Sequence, residues 1–288
     1  MTHYTLLVGS TGGGLPATSF VELTSGTDTF SVPDGYNAIH IQYAVGGGGG
    51  AAGGADYDKA GGESAGAGGG SGGYVSDQIY SVTEGETLTY SIGSGGAAGN
   101  QTANFKQPRI ADAGTNTTLS GSTTGTIFTL TGGGGSSGTD GGVQGPLRTN
   151  TAGTAGTATI DGTAITSGNF TDSDYSFKNV TSNTSGPTSV FNDSGNGAAG
   201  NISGDSGQGP GNCNGDNCRI NGNDGADSYD GNILGGAGGS SVDAGTAGTA
   251  GTRGSGGGGG AAQVNSGGST NGGVGGSGEI KYRFLQVI

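Results

Sequence analysis

Apolar and polar residues alternate in only a few stretches of this chain. Residues 37–45 place Ile39, Ile41, Tyr43 and Val45 at a period of two, the pattern of a strand with one buried face. Residues 86–92 do the same with Leu88, Tyr90 and Ile92, and residues 279–288 set Ile280, Tyr282 and Phe284 against Lys281 and Arg283. Residues 74–82 and 127–131 repeat the pattern more faintly, and Thr83-Glu84-Gly85-Glu86 reads as a turn between two strands. Helical periodicity is found nowhere. The apolar residues are therefore expected to collect in one small β-structure drawn from both ends of the chain.

Between these strands the repeating residue is glycine, and its period is three. Gly245, Gly248, Gly251, Gly254, Gly257 and Gly260 form one series, and Gly132, Gly135, Gly138 and Gly141 another. Three residues per turn is the period of the polyproline-II helix, which lacks internal hydrogen bonds and so needs partners for its amides and carbonyls. Collagen shares that period but requires long unbroken repeats and abundant proline, and this chain has 6 prolines. A flexible linker requires no register. The series above keep one, which favours a bundle of short polyglycine helices whose glycine edges let neighbouring backbones touch.

The expected fold is mainly β: a small antiparallel β-sandwich-like base carrying a bundle of polyglycine or polyproline-II helices, with no α-helix. Residues 1–20 read as an N-terminal arm for attachment, and 21–288 as a single glycine-rich domain. Strand 37–45 runs directly into glycines 46–54, and glycines 66–73 run directly into strand 74–82. The intervening segment 55–65 must then turn at the bundle end remote from the sheet. The same argument places 261–271 there.

Several segments resemble a known family. Thr29-Phe30-Ser31-Val32-Pro33-Asp34-Gly35-Tyr36, followed by an alternating strand and then Gly46 to Gly50, resembles the opening of phage-associated glycine-rich domains. Gly72-Gly73-Tyr74-Val75, Val82 to Leu88, Ile92 to Gly96 and the ending Gly272 to Ile280 continue the likeness. The polyglycine pattern is also similar to that of adhesins at the tips of T-even-type long tail fibres. The resemblance implies a tail-fibre or adhesin-type protein whose loops between glycine runs contact a host receptor, either an outer-membrane protein or a glycan. It implies other virion proteins as partners and a place in the virion, extracellular after release. A structural virion or filament subunit is the alternative.

Composition narrows the chemistry. Of 288 residues 73 are glycine, hydrophobic residues make up 29%, and no tryptophan is present, too little for a conventional core along the whole length. The net charge of −13 with 9 lysines and arginines leaves no basic stripe for phosphate, so nucleic acid is not an expected partner. No apolar stretch reaches the length of a membrane span, and residues 1–10 lack the charged and apolar regions of a signal peptide.

No catalytic residue is assigned, and no cofactor is expected. His3 and His40 are the two histidines, and neither has a recognisable acid or base beside it in sequence. The acidic residues Asp172, Asp174, Asp216, Asp224, Asp227 and Asp230 lack the spacing of a calcium loop, so no metal site is assigned either. Cys213 and Cys218 enclose a short turn-rich loop, compatible with a local disulfide or with two free thiols. Tyr57, Phe170, Tyr175, Phe177, Phe191 and Tyr229 lie outside the strands among small polar residues. Recognition loops use this mixture of rigid aromatic area and adaptable hydrogen bonds, which makes these six the candidate receptor contacts.

Overall fold

The computed structural model describes residues 15–53, 66–100, 109–138, 150–165, 219–220, 224–228, 247–260, 262–263 and 271–288. The strands in chain order are β1 Val21–Leu23, β2 Thr27–Ser31, β3 Ala38–Val45, β4 Tyr74–Ser81, β5 Thr87–Ser91, β6 Arg109–Ile110 and β7 Thr117–Gly121. They continue with β8 Gly125–Leu130, β9 Ser137–Gly138, β10 Asn150–Thr151, β11 Ala158–Ile160, β12 Arg219–Ile220, β13 Ala262–Gln263 and β14 Glu279–Leu285. No helix occurs among the described residues.

Two antiparallel sheets form the base. The first has the order β1-β14-β3-β4, the second β11-β8-β7-β5-β2. They share one apolar cluster, to which Ile39, Ile41, Ile280, Tyr282 and Phe284 contribute from the first sheet and Leu88, Leu119, Phe128 and Leu130 from the second. Phe30 of β2 stacks on Tyr282 of β14, ring centroids 4.7 Å apart. Side-chain burial on this scale stabilises by about 1.5–3 kcal/mol for each large apolar residue. The base thus draws on the middle of the chain as well as its ends, contrary to the expectation from alternation. Thr117–Gly121 escapes notice because its single large apolar residue, Leu119, is flanked by Thr and Ser.

The pleat of β3 departs from strict alternation. Tyr282 pairs with Ile41 and Lys281 with Tyr43, so β3 holds one extra residue, Gln42, relative to β14. Asp77 of β4, with φ 49°, accompanies it in the next strand, where Ile41 pairs with Gln78 and Tyr43 with Ser76. Such a bulge turns every later side chain to the opposite face. Ile39, Ile41 and Ala44 therefore enter the core. Tyr43 and Val45, expected to share their face, point to the other side, where Tyr43 meets Lys281 and Glu279.

Beyond the sheets the glycine-rich segments run past one another, joined backbone to backbone. Around residues 46–52 the pattern is complete. The amides of Gly46, Gly49 and Ala52 donate to Gly73, Gly70 and Ala67; those of Gly47 and Gly50 to Thr115 and Asp112; those of Gly48 and Ala51 to Gly276 and Gly273. The carbonyls of the same run accept from Gly133 and Ser136, from Gly96 and Gly99, and from Gly257 and Gly260. Each neighbour is met every third residue, so amides and carbonyls point in six directions around the axis.

The six neighbours also bond one another in a closed ring. Residues 66–73 bond 131–134, 133–136 bond 111–114, and 112–115 bond 94–97. The ring continues from 93–99 to 272–278, on to 255–258, and back to 66–72 through Gly254, Gly257 and Gly260. Residues 46–52 lie wholly inside it and are buried throughout. Runs 153–157 and 248–254 add to the outside of the ring, and there burial follows the period, with Gly153 and Gly156 buried and Thr151, Thr154 and Thr157 exposed.

Close approach explains the composition. A Cβ at Gly48 would lie on the Ser255 carbonyl, one at Gly49 on that of Gly134, and one at Gly50 on that of Ala97, all far inside the 3.0 Å that real Cβ atoms respect. Glycine is required at these positions by the neighbours rather than by its own backbone freedom.

Candidate functional site

The structure offers two places where chemistry gathers: the end of the bonded glycine-rich runs remote from the sheets, and the face of the first sheet that points away from the core.

At the remote end, Ala52 donates to Ala67, Gly260 to Ala52, Gly66 to Gly260, Gly99 to Ala51, and Gly272 to Gly99. The buried Ser136 hydroxyl joins this level, donating to the Ala67 carbonyl at 2.6 Å and accepting from the Ala52 amide at 2.7 Å. From here the chain departs after residues 53, 100, 138 and 260 and has returned by residues 66, 109, 150 and 271. Short ladders stand at the same end: β9, which follows run 131–136, lies between β6 and β10, and β13, which follows Gly260, pairs with β12. Ile110 is 61% exposed there. The pairing of Arg219 with Gln263 and Ile220 with Ala262 ties residues 219–220 to this end as well.

Residues 161–165 behave differently. Ile165 donates to Ile79 and Ser81 to Thr163, so the chain that follows β11 runs along the outer edge of β4, at the sheets.

The expected receptor contacts Tyr57, Phe170, Tyr175, Phe177, Phe191 and Tyr229 lie outside the described residues, as do Gly245, Cys213 and Cys218. Among the repeating glycines, Gly132 and Gly135 back onto the carbonyls of Gly114 and Ala111, Gly248 onto that of Gly258, and Gly257 onto that of Gly273. Gly138 pairs in β9, and Gly260 donates to Ala52. The series Gly248 to Gly260 conceals a reversal: residues 252–255 turn the chain back, so 248–254 and 255–260 run in opposite directions. Nothing in the glycine period marks that turn.

The outer face of the first sheet carries the polar network. His40, 3% exposed, holds Asp77 through Nε2 at 3.3 Å, while its Nδ1 accepts from Arg283 Nε at 3.2 Å. Phe20 meets the His40 ring edge-on, and the Arg283 guanidinium lies 4.8 Å from the centre of the Phe20 ring. Lys281 pairs with Glu22 at 2.7 Å, and this contact holds the Glu22 carboxyl below its ordinary pKa. Glu279 accepts from the Tyr43 hydroxyl at 2.5 Å and pairs with Arg253 at 3.2 Å. Burial, and after it the bond to Glu279, pushes the Tyr43 phenol up. Every one of these side chains is engaged by a neighbour, and both ring nitrogens of His40 are occupied. Among the described residues no group of three or more His, Cys, Asp or Glu is arranged to hold a metal. No helix among them is long and apolar enough to cross a membrane.

Glu86 is the remaining buried carboxylate with several donors. Its oxygens accept from the amides of Thr83, Thr123 and Thr124 and from the Thr124 hydroxyl, at 2.6 to 3.1 Å. Burial works to raise its pKa, but the Thr124 hydroxyl and the three amides outweigh it and hold the carboxyl below its ordinary value. The residue clips the turn at 83–86 to the turn between β7 and β8. This is a structural role.

None of the curated proteins compared with the chain matches it. The family described as "Glycine-rich domain" matches residues 23–285, a span that takes in β2 to β14 and all the bonded glycine runs. The chain belongs to the glycine-rich domain family.

Proposed function

We propose that the glycine runs form a polyglycine-II bundle, and that this bundle is a rigid stalk presenting recognition loops in a bacteriophage tail-fibre or adhesin-type protein. The loops bind a receptor on the host cell surface, an outer-membrane protein or a glycan. The protein works without catalysis, assembled with other virion proteins and extracellular after release. One observation carries the reading: residues 46–52 are walled on six sides by runs from the whole length of the chain, each bonded every third residue. Three residues per turn is the polyproline-II period, and a rod bonded in every lateral direction resists bending. Segments 54–65, 101–108, 139–149 and 264–270 all start and finish at the end of that rod remote from the sheets. Loops held on a rigid scaffold are where binding generally resides.

The test is to exchange segments 55–65, 101–108, 139–149, 160–194, 201–234 and 261–271 with those of a family member of different host range, then measure attachment of the purified protein to both hosts. Attachment that follows the exchanged segments supports the reading. Absence of binding to any cell surface, with the protein located between subunits inside a particle, assigns it instead to a structural virion component.

A further inference from the structure

At the sheet end, the described runs pass into strands. β3 leads into 46–52, 66–73 into β4, β5 into 93–99, 111–115 into β7, β8 into 131–136, 153–157 into β11, and 272–278 into β14. Runs 248–254 and 255–260 differ, as does the short run 224–228 that bonds Gly69 and Gly256. The first two join each other through residues 252–255 and have no strand of their own there.

The turn that joins them is built against residue preference. Arg253 has φ 43° and Gly254 has φ 74°. Two successive left-handed residues make a type I′ turn, closed here by the Ser255 amide donating to the Thr252 carbonyl at 2.9 Å. Glycine, asparagine and aspartate suit its first central position, whereas a long side chain there is strained. Strain persists where the surroundings impose it, and it often marks a site with a task.

The Arg253 side chain shows what the task is. Its Nε lies 3.2 Å from Glu279, whose side chain is 6% exposed and which opens β14. The same carboxylate accepts from Tyr43 on β3. One buried acid therefore takes one donor from the hairpin and one from the sheet. Beside it, a Cβ on Gly254 would strike Val45 and the Gly46 carbonyl, so the turn is pressed against the point where β3 becomes the central run.

We infer that Arg253, Glu279 and Tyr43 form a latch that seats the 248–260 hairpin on the sheet. The hairpin supplies run 255–260, one of the six walls around residues 46–52. With no strand of its own at the sheet end, the hairpin is anchored there by this latch, which selects among the three-residue steps that its backbone bonds to 46–52, 66–72 and 271–277 would otherwise allow. Arg253 acts as a positioning residue. The inference holds whether or not the remote segments bind a receptor.

Hydrogen exchange by mass spectrometry on the full chain tests it, with Arg253→Gly as the decisive variant. Glycine relieves the turn and removes the ion pair, so a turn residue and a latch predict opposite signs. The latch predicts roughly tenfold or faster exchange in residues 248–260, with β7 and β8 unchanged. Arg253→Lys should restore part of the protection. Unchanged or slower exchange in 248–260 of Arg253→Gly would overturn the inference, as would uniform acceleration across the whole chain. Should Arg253→Gly fail to fold, Glu279→Gln removes the carboxylate charge that holds Arg253 of the hairpin to the sheet. It must then produce the same local acceleration, and exchange equal to the parent's would overturn the inference.

Discussion

Gly257→Ala is the perturbation that bears most sharply on the packing of the bundle. Its amide donates to Gly49 at 3.0 Å, and its carbonyl accepts from Gly69 at 2.9 Å. A Cβ at this position would sit on the carbonyl group of Gly273 and against that of Val274, both of them backbone and unable to rotate away. Relief requires run 272–278 to move outward, parting Gly273 from Gly258 and Gly276 from Ser255, bonds of 2.7 and 2.9 Å. Buried groups left unpaired cost about 1–3 kcal/mol each time a bond is lost, so two lost bonds cost roughly 2–6 kcal/mol. Against this, alanine restricts the unfolded chain and contributes about 0.5–1 kcal/mol in favour of folding. The steric effect wins, and the melting temperature should fall on the order of 10 °C. Thermal unfolding followed by circular dichroism measures it. Gly26→Ala is the control, since that residue has φ 83° and nothing within 4 Å of a Cβ, so it feels only the backbone penalty of about 1–2 kcal/mol. If Gly257→Ala melts within about 3 °C of the parent, or no lower than Gly26→Ala, the close-packed bundle is refuted.

Other consequences are read from single residues. Glu86 has a folded pKa below its unfolded value of 4.5, so its contribution to stability is present above that pH and lost as pH falls through the folded value. Glu86→Gln should therefore flatten the fall in stability below pH 4.5 in urea titrations; a profile identical to the parent's would refute the role given to it. The Tyr80 hydroxyl is buried without a hydrogen-bond partner, so Tyr80→Phe should stabilise by about 1 kcal/mol; a clear loss in denaturant midpoint would contradict that. Burial, helped by Tyr90, pushes the Tyr282 phenol up to about 12, so its share of stability is present below its unfolded pKa of 10 and fades above. Tyrosinate absorbance from this residue should appear near pH 12 or with unfolding, and its appearance near pH 10 would show the core to be open. His40→Gln should lower stability modestly through its lost contacts to Asp77 and Arg283, leave cell attachment unchanged and abolish no hydrolytic activity.

Much of the base was legible because a half-buried strand writes its period into the sequence. Tyr74–Ser81, Thr87–Ser91 and Glu279–Leu285 fall where alternation puts them, and the turn at 83–86 closes with Glu86 donating its amide to Thr83. What escaped depended on tertiary context. Gln42 looks like any polar residue in a strand, and only its pairing across β14 and β4 reveals the extra residue that sends Tyr43 outward. Residues 117–121 carry little apolar signal because Thr and Ser serve well on a strand whose core face needs mainly Leu119. Arg253 lies between Gly251 and Gly254, so the glycine period runs unbroken through the turn and gives no sign of it. The reason to place arginine there lies 26 positions away at Glu279. The six aromatic candidates for recognition rest on their setting among small polar residues outside the strands, and they lie outside the described residues.

Residues 46–52 are bonded to six neighbouring runs, and amide exchange at single residues tests that most directly. Nuclear magnetic resonance on the intact chain should find the amides of Gly46 to Gly50 protected as strongly as those of β3 and β14, because each has a backbone partner at 2.7 to 3.0 Å and none reaches solvent. Exchange of these glycines at the rate of an unstructured peptide, with the sheets still protected, would show the runs to be linkers and contradict the account.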